Sequence, residues 1–337
     1  MLLICLGVRS QAEDASSFSI GAFTDFYVVT STAVKGLHER QYTTQALRTN
    51  EINLNLAYAE GVLAATRLHG RVALQAGTSV QANYSSEPNI FARNLQEFYL
   101  GFLLADQTWM DGGVMLSHIG IESFISKDSL VYTRSLVAEF SPYYQSGVRI
   151  THEFNEKASF QLLLLNGWQN ISQSSPGMAA GTQFVYVPNR GITLLYNTYF
   201  GQEGKFRQLH DFVLKLSPSD RLTLASQLDF GMQAYNATGI RSSWSGFTQI
   251  GNYKLDSSSA VSARAEAFFD EGNVVAITPN LTPFQAWSAS LGYDRALSTH
   301  VDWRSEAKAT WASPNIFGAG STLSKELVWI TSLALKL

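Results

Sequence analysis

Six histidines carry most of the acid–base and metal-binding potential of this sequence: His38, His69, His118, His152, His210 and His300. Their spacing does not match the close pairs that ligate metals. Ser117 and His118 are neighbours, as are His210 and Asp211. On a strand, neighbours project to opposite faces, so neither pair makes a nucleophile–base dyad. His and Ser two apart would share a face, but no His-x-Ser occurs, and neither Gly-x-Ser-x-Gly nor a phosphate-binding loop is present. Cys5 is the only cysteine and lies in an apolar N-terminal run. If that run is removed, no thiol chemistry, disulfide framework or thiolate zinc site remains. The expectation is no catalytic residue, no metal, no cofactor and no enzyme.

The elements that would position any site are therefore the main source of information. The chain has 337 residues, a net charge of −3 and only 15% charged residues. That balance, without a Lys/Arg-rich block, argues against a nucleic-acid partner. Mean hydropathy is close to zero, and no apolar run approaches the roughly 18–20 residues of a membrane-spanning helix. At the N-terminus, Leu2 to Val8 is apolar and Ser10-Gln11-Ala12 has a small-x-small form. This reads as a signal peptide with a truncated start over residues 1–14, followed by one domain over 15–337.

Alternation of polar and apolar residues recurs along that domain. In "NEINLNLAYA", Ile52, Leu54 and Leu56 oppose Glu51, Asn53 and Asn55. Val72 and Leu74 oppose Arg71 and Gln75; Phe98, Leu100 and Phe102 oppose Glu97 and Tyr99; Val148 and Ile150 oppose Arg149 and Glu153. Leu224, Leu228 and Phe230 oppose Gln227 and Asp229, Ala263 and Ala265 oppose Arg264 and Glu266, and Trp303 and Ala307 oppose Arg304, Glu306 and Lys308. About sixteen such strands are expected, most with the roughly 9–11 residues that cross a bilayer when tilted. Short turns such as "NEK", "PNRG" and "SPSD" alternate with longer connections, which is the loop asymmetry of an up-and-down barrel. All seven tryptophans, at 109, 168, 244, 287, 303, 311 and 329, lie near strand ends, as an aromatic girdle requires, although Trp109 falls on the polar face. Gly77, Gly101, Gly113, Gly147 and Gly231 fall within strands and are read as easing curvature.

So many long amphipathic strands, with no helices to cover them, need lipid to hide their apolar face. The fold expected is an all-β, transmembrane antiparallel up-and-down barrel of about 16 strands, with apolar residues outward and polar residues around the axis. The inward charges are then mixed. Glu51, Glu97, Asp111, Glu153, Asp211, Asp229, Glu266, Asp302 and Glu306 are acidic; Arg71, Arg149, Lys215, Lys254, Arg264, Arg304 and Lys308 are basic, with Gln75 among them. As pore-lining groups they predict weak selectivity, slightly favouring cations; the structural alternative is pairing across strands. The segment Ile119 to Pro142 lies between two clear strands and carries Glu122, Lys127, Asp128, Arg134 and Glu139. Folded inward it would form a constriction.

The stretches "SHIGIESFISKDSLVYTRSLVAEFSPYYQSGVRITHEF", "NEINLNLAYA", "RVALQAGTSVQANYSSEP", "LLLNGWQNI" and "LHDF" occur in order. By them the chain resembles the OmpL-like putative β-barrel porin family of bacterial outer membranes, over most of residues 18–337. The resemblance implies an outer-membrane barrel with a pore-type role and names no ligand. The chain departs from the common aromatic last residue of such barrels by ending in Leu337. The function expected is passive diffusion of small polar solutes. A non-conducting barrel that binds or adheres through its long loops is the alternative. The partners expected are outer-membrane lipid, small polar solutes and the barrel-assembly machinery, with self-association left open.

Overall fold

The computed structural model describes residues 16–33, 38–173, 177–234, 241–279 and 281–337. The expected signal peptide lies outside the described residues. Sixteen strands run in chain order: β1 (Ser17–Ser31), β2 (Asn53–Ala64), β3 (Leu68–Ala76), β4 (Leu95–Ala105), β5 (Thr108–Leu116), β6 (Tyr144–Asn155), β7 (Ala158–Leu165) and β8 (Ala179–Asn189). The second half comprises β9 (Ile192–Glu203), β10 (Lys205–Leu216), β11 (Leu222–Ala234), β12 (Arg241–Lys254), β13 (Ser259–Asp270), β14 (Phe284–Ala296), β15 (Val301–Ser313) and β16 (Lys325–Lys336). Each pairs antiparallel with its sequence neighbours, and β1 closes on β16 with Phe23 opposite Lys336 and Ser31 opposite Val328. Closure leaves no strand edge unpaired, which is what a lipid environment demands of a sheet.

The apolar face points out. Leu74, Phe98, Leu100, Phe154, Leu162, Phe212, Leu291 and Leu333 are all exposed on the barrel exterior, and Glu97, Gln145, Asp211, Asp229, Arg264 and Glu306 are buried on its interior. A bulge on β2 breaks the alternation. In the β1–β2 pairing Asp25 faces Leu56 and Phe26 faces Leu54, so Asn55 is the extra residue of a bulge. A bulge flips the parity of everything after it. Leu56 therefore turns inward and is fully buried, against the expectation that it faces lipid, and Tyr58 follows it inward.

The tryptophans also divide. Trp287, Trp311 and Trp329 are exposed outward, and Trp303 on the same face donates to Thr331. Trp109 packs against His69 inside the barrel, with ring centres 4.4 Å apart and planes tilted by 31°. Trp168 and Trp244 meet edge to face within an interior apolar cluster. The girdle is thus built from four of the seven, because the other three are consumed in packing the lumen.

Long and short connections alternate as expected, with one exception: β9 and β10 join through Gly204 alone at the long-loop end. Short helices occupy two of the long connections, α1 (Thr78–Asn83) and α2 (Ile90–Arg93) between β3 and β4, and α3 (Leu136–Glu139) between β5 and β6. At four to six residues they are too short to leave a periodic signature. Where β5 leads into that last connection, Gly113 and Gly147 face each other across the β5–β6 pair with φ of 139° and 155°. A Cβ at either would collide with a backbone carbonyl of the next strand, so only glycine permits this coil of the wall.

Candidate functional site: a segment anchored across the lumen

Residues 117–143, between β5 and β6, lie inside the barrel. A chain with so little regular structure there must find partners for its own N–H and C=O groups. The wall supplies them by charge type. Carboxylates and amides take the N–H groups: Asp211 accepts from Gly120, Gln227 from Ile121, Glu306 from Thr133 at 2.7 Å, and Glu266 from Leu136. Cations and amide donors take the carbonyls: Gln183 donates to His118, Arg304 to Ser126 and Ser129, Arg264 to Thr133, and Lys308 to Arg134. Apart from those of Gln183 and Gln227, these are charge-assisted bonds in a water-poor setting, individually stronger than neutral ones.

The segment crosses from β8–β11, through β13 and β15, to β1. Its tip at Lys127–Ser129 borders a cleft of about 260 Å³ near the short-turn end, lined also by Lys254, Asp294, Arg295 and Arg304. The Lys127 ammonium lies over the rings of Phe23 and Tyr58, at 5.2 and 5.3 Å. Asp25, on β1, gathers Asn55, Ser126 and Tyr132. Returning, α3 packs Val137 into a space that exists because the wall residue is Gly246, where a Cβ would stand 2.8 Å from the Val137 methyl. Ser141 then reaches Asp229 at 3.2 Å. Gly101 and Gly231, expected to serve curvature, likewise make room for side chains: His69 with Asp111, and Trp244.

The charged residues singled out on this segment are held in place. Glu122 pairs with Arg264 at 3.1 Å, Lys127 has its cation–π contacts, and the Arg134 guanidinium stacks on Tyr143 at 3.5 Å. Glu139 holds Thr43, Thr44 and the Tyr143 hydroxyl. Asp128 closes a single 3₁₀ turn with Ser126 and Lys127.

Above α3, aromatic and aliphatic side chains close ranks. Phe140 packs on Phe268 and Phe284, and Tyr42 packs on Phe284 and Phe317. Val274, Val275, Ala276 and Ile316 complete this cluster from two other long loops. On the β3–β6 side, Tyr84 stacks on Tyr144 at 4.0 Å, and Glu87 accepts from the Tyr144 hydroxyl.

The inward charges therefore form two populations. On β10–β15, Asp211, Asp229, Arg264, Glu266, Arg304, Glu306 and Lys308 are buried beneath the segment. Arg264 there contacts Glu122, Glu266 and Glu306, all with side chains at most 2% accessible. On β2–β6, Arg71 bridges Glu60 and Glu97 at 2.6 and 2.5 Å, and Asp111 joins Arg149 and His69 at 2.7 and 2.5 Å. Here four of the six side chains stay partly open, 22% for Arg71 and Arg149, 18% for Glu60 and 31% for His69, while Glu97 and Asp111 are buried behind them. Glu153 and Lys215 lie on the inward face near the short-turn ends of their strands. Gln75 is buried, tied to Arg93 and Gln96. Glu51 stands before β2 at the long-loop rim, where a 2.5 Å bond from Arg48 holds its carboxyl below the usual range.

Sequence reasoning did not select Asp25, Glu60 or His69. His69 was accessible from pattern alone, two residues before Arg71 on the same face. Glu60 was hidden by the bulge, because uninterrupted alternation from Glu51 assigns it to lipid.

Comparison with solved structures places this geometry among outer-membrane barrels. An anion-selective porin from Comamonas acidovorans superposes with a TM-score of 0.65 at 9% identity, covering 96% of this chain and 100% of the other. The trimer form of OmpT, an outer-membrane protein of Vibrio cholerae, gives 0.61 at 7% identity, covering 96% and 100%. Salmonella typhi OmpF in complex with daunomycin gives 0.59 at 10% identity, covering 95% and 97%. At such identities the likeness is one of fold. No curated protein matches. The family model described as "Putative beta-barrel porin-2, OmpL-like" matches residues 17–337. With essentially the whole barrel inside that match, the chain belongs to this OmpL-like β-barrel porin family of the bacterial outer membrane.

Proposed function

We propose that this porin is a narrow passive channel for small polar solutes, and that the solute path follows the β2–β6 wall. The observation that carries the reading is the contrast between the two populations of inward charge. Those of β10–β15 are sealed under residues 117–143, whereas Arg71, Glu60, His69 and Arg149 keep accessible surface. Charges of both signs along such a path accommodate polar solutes without strong selection. In this reading, residues 119–142 form the constriction, and Glu122, Lys127, Asp128, Arg134 and Glu139 set its shape through their contacts. No covalent chemistry is needed for diffusion. Reconstitution in a planar bilayer tests the proposal. Small, stable conductance steps are expected, and folded protein that never produces steps would overturn it.

A second reading has its own support. The apolar cluster of Tyr42, Phe140, Val274, Phe284, Ile316 and Phe317 caps part of the outer half of the lumen. If that cap is permanent and reaches over the β2–β6 side, the barrel conducts nothing, and its long loops act in binding or adhesion. Absence of conductance together with solvent-protected loop amides would favour this second reading. We also read the chain as self-associating, in line with the trimer form of the Vibrio cholerae protein; this is separable from conduction.

A further inference from the structure

We infer that the short-turn mouth of the barrel binds a phosphoryl group, in a recess on the β10–β12 wall beneath residues 117–143 and away from the β2–β6 path. Several inward cations are spent on carboxylates: Arg71 on Glu60, Arg264 on Glu122 and Lys308 on Glu266. Lys215, Arg221 and Lys254 are not. None of the three has a carboxylate partner among the described residues. All share the inward parity that the buried Asp211, Gln227 and Thr248 fix for β10, β11 and β12. The register gathers them. Lys254 donates its backbone N–H to the Arg221 carbonyl at 2.8 Å. Asn252 lies opposite Thr223, and Lys215 lies between Thr193 and Ala225.

The surroundings leave these cations uncompensated. From their rows down to the short turns, no inward residue of β9–β12 is Asp or Glu. In the turns themselves, Asp220 is exposed, and Asp256 accepts from the Ser258 N–H and hydroxyl at 2.7 and 2.9 Å. On the adjoining wall Asp294 is held by Arg304 at 2.8 Å and Asp302 by Lys336 at 2.6 Å. Like charges gathered on neighbouring strands repel one another, and an anion seated among them relieves that repulsion. Neutral donors stand ready between the cations: the hydroxyls of Thr193 and Thr223 and the amide of Asn252 have no partner among the described residues.

The recess is blind on its outer side. Ile121, Leu130 and Val131 of the segment pack on Ala225 and Ile250 directly above it, so an ion entering from the short-turn end is held and does not pass on. It stays open below, where Arg221 and Lys254 are exposed, and Lys254 also borders the cleft of about 260 Å³ under the segment's tip. Short turns face the periplasm in barrels of this kind. The ligand is therefore periplasmic, small enough for a lumen recess and more than singly charged. Three cations exceed what one carboxylate needs, whereas lysines serve a phosphoryl group as point charges from any direction. Hydroxyl and amide donors complete its remaining oxygens. Free phosphate and a phosphate monoester share this chemistry, and bilayer headgroups do not reach the interior.

Calorimetric titration of the folded, full-length protein in an alkyl glycoside detergent tests this, and it reads binding whether or not the barrel conducts. Inorganic phosphate at low salt should give saturable, single-site heat that fades as salt is added. Lys215→Gln/Arg221→Gln/Lys254→Gln should weaken binding by about tenfold or more. Arg67→Gln/Lys157→Gln/Arg190→Gln removes the same charge from exposed turn positions at the same end and should leave binding intact. Thr223→Glu keeps every cation, sets a carboxylate among them and should abolish binding. Each variant is scored only with the heat-modifiable mobility of a folded barrel. Tighter binding of phosphate than of glycerol phosphate assigns the free ion, and the reverse assigns a phosphorylated solute. Wild-type protein without saturable heat, equal losses in the two triple variants, or full binding by Thr223→Glu would overturn the inference.

Discussion

Buried carboxylates in a barrel wall are costly unless something neutralises them. Here the neutralising groups are the backbone N–H groups of residues 117–143 and the guanidinium of Arg264. Replacing that residue shows how much depends on it. Arg264→Met would leave Glu122, Glu266 and Glu306 buried with Lys308 as the remaining nearby cation. Breaking one member out of such a network typically costs about 3–5 kcal/mol, and the segment is the part free to respond. Limited proteolysis should cut Arg264→Met within residues 119–142 and leave the wild type intact; equal resistance would count against the network as the anchor. A steric test is independent of charge. Gly246→Leu inserts a side chain where Val137 and Phe268 already press. Overpacking of this kind costs about 1–3 kcal/mol, so its unfolding midpoint in denaturant should fall, and Gly251→Leu, where a Cβ would meet only Leu224 at an ordinary contact distance of 3.6 Å, should change it little.

At the scale of elements, the strand ladder and the inserted segment obey different rules, which explains what could be read in advance. Strand number, the outward apolar face and the loop asymmetry follow from a period of two, and the sequence displays that period plainly around Leu74, Leu100 and Leu228. The bulge at Asn55 has no such signature. It reverses parity in mid-strand, hiding Glu60 and misplacing Leu56. The anchoring of residues 117–143 was also beyond pattern, because its partners come from strands as distant in sequence as β1 and β15. Acidic residues such as Glu306 were recognisable as inward, but their role as acceptors for a particular backbone was not. The separation of ladder from segment carries a prediction. Replacing residues 121–140 by a short Gly/Ser linker should leave the barrel folded, since all sixteen strand pairings lie outside it. Single-channel conductance should then rise severalfold, as the filled side of the lumen empties. A variant that fails to fold would show instead that the segment is part of the folding core.

For the whole molecule, the wall divides into a covered arc and an open one, and only the open arc meets a passing ion. Interactions between accessible charges and mobile ions extend over roughly 8–10 Å at physiological salt, so groups sealed under the segment act on structure and those on β2–β6 act on permeation. Removing Arg71 leaves Glu60 on the path, and the buried Glu97 beside it, without their shared cation. Removing Arg149 leaves Asp111 with His69. Arg71→Ala and Arg149→Ala should therefore each raise the cation-to-anion permeability ratio, by roughly twofold or more in such a narrow, low-dielectric site. The change is read as a shift in reversal potential across a salt gradient, largest at low ionic strength. Arg304→Ala provides the contrast. Its guanidinium is buried, bonded to Asp294 and to the carbonyls of Ser126 and Ser129, so its loss should loosen the segment and increase current noise while moving the reversal potential less. Equal shifts from all three variants would mean that ions sample both arcs, and the path along β2–β6 would have to be abandoned.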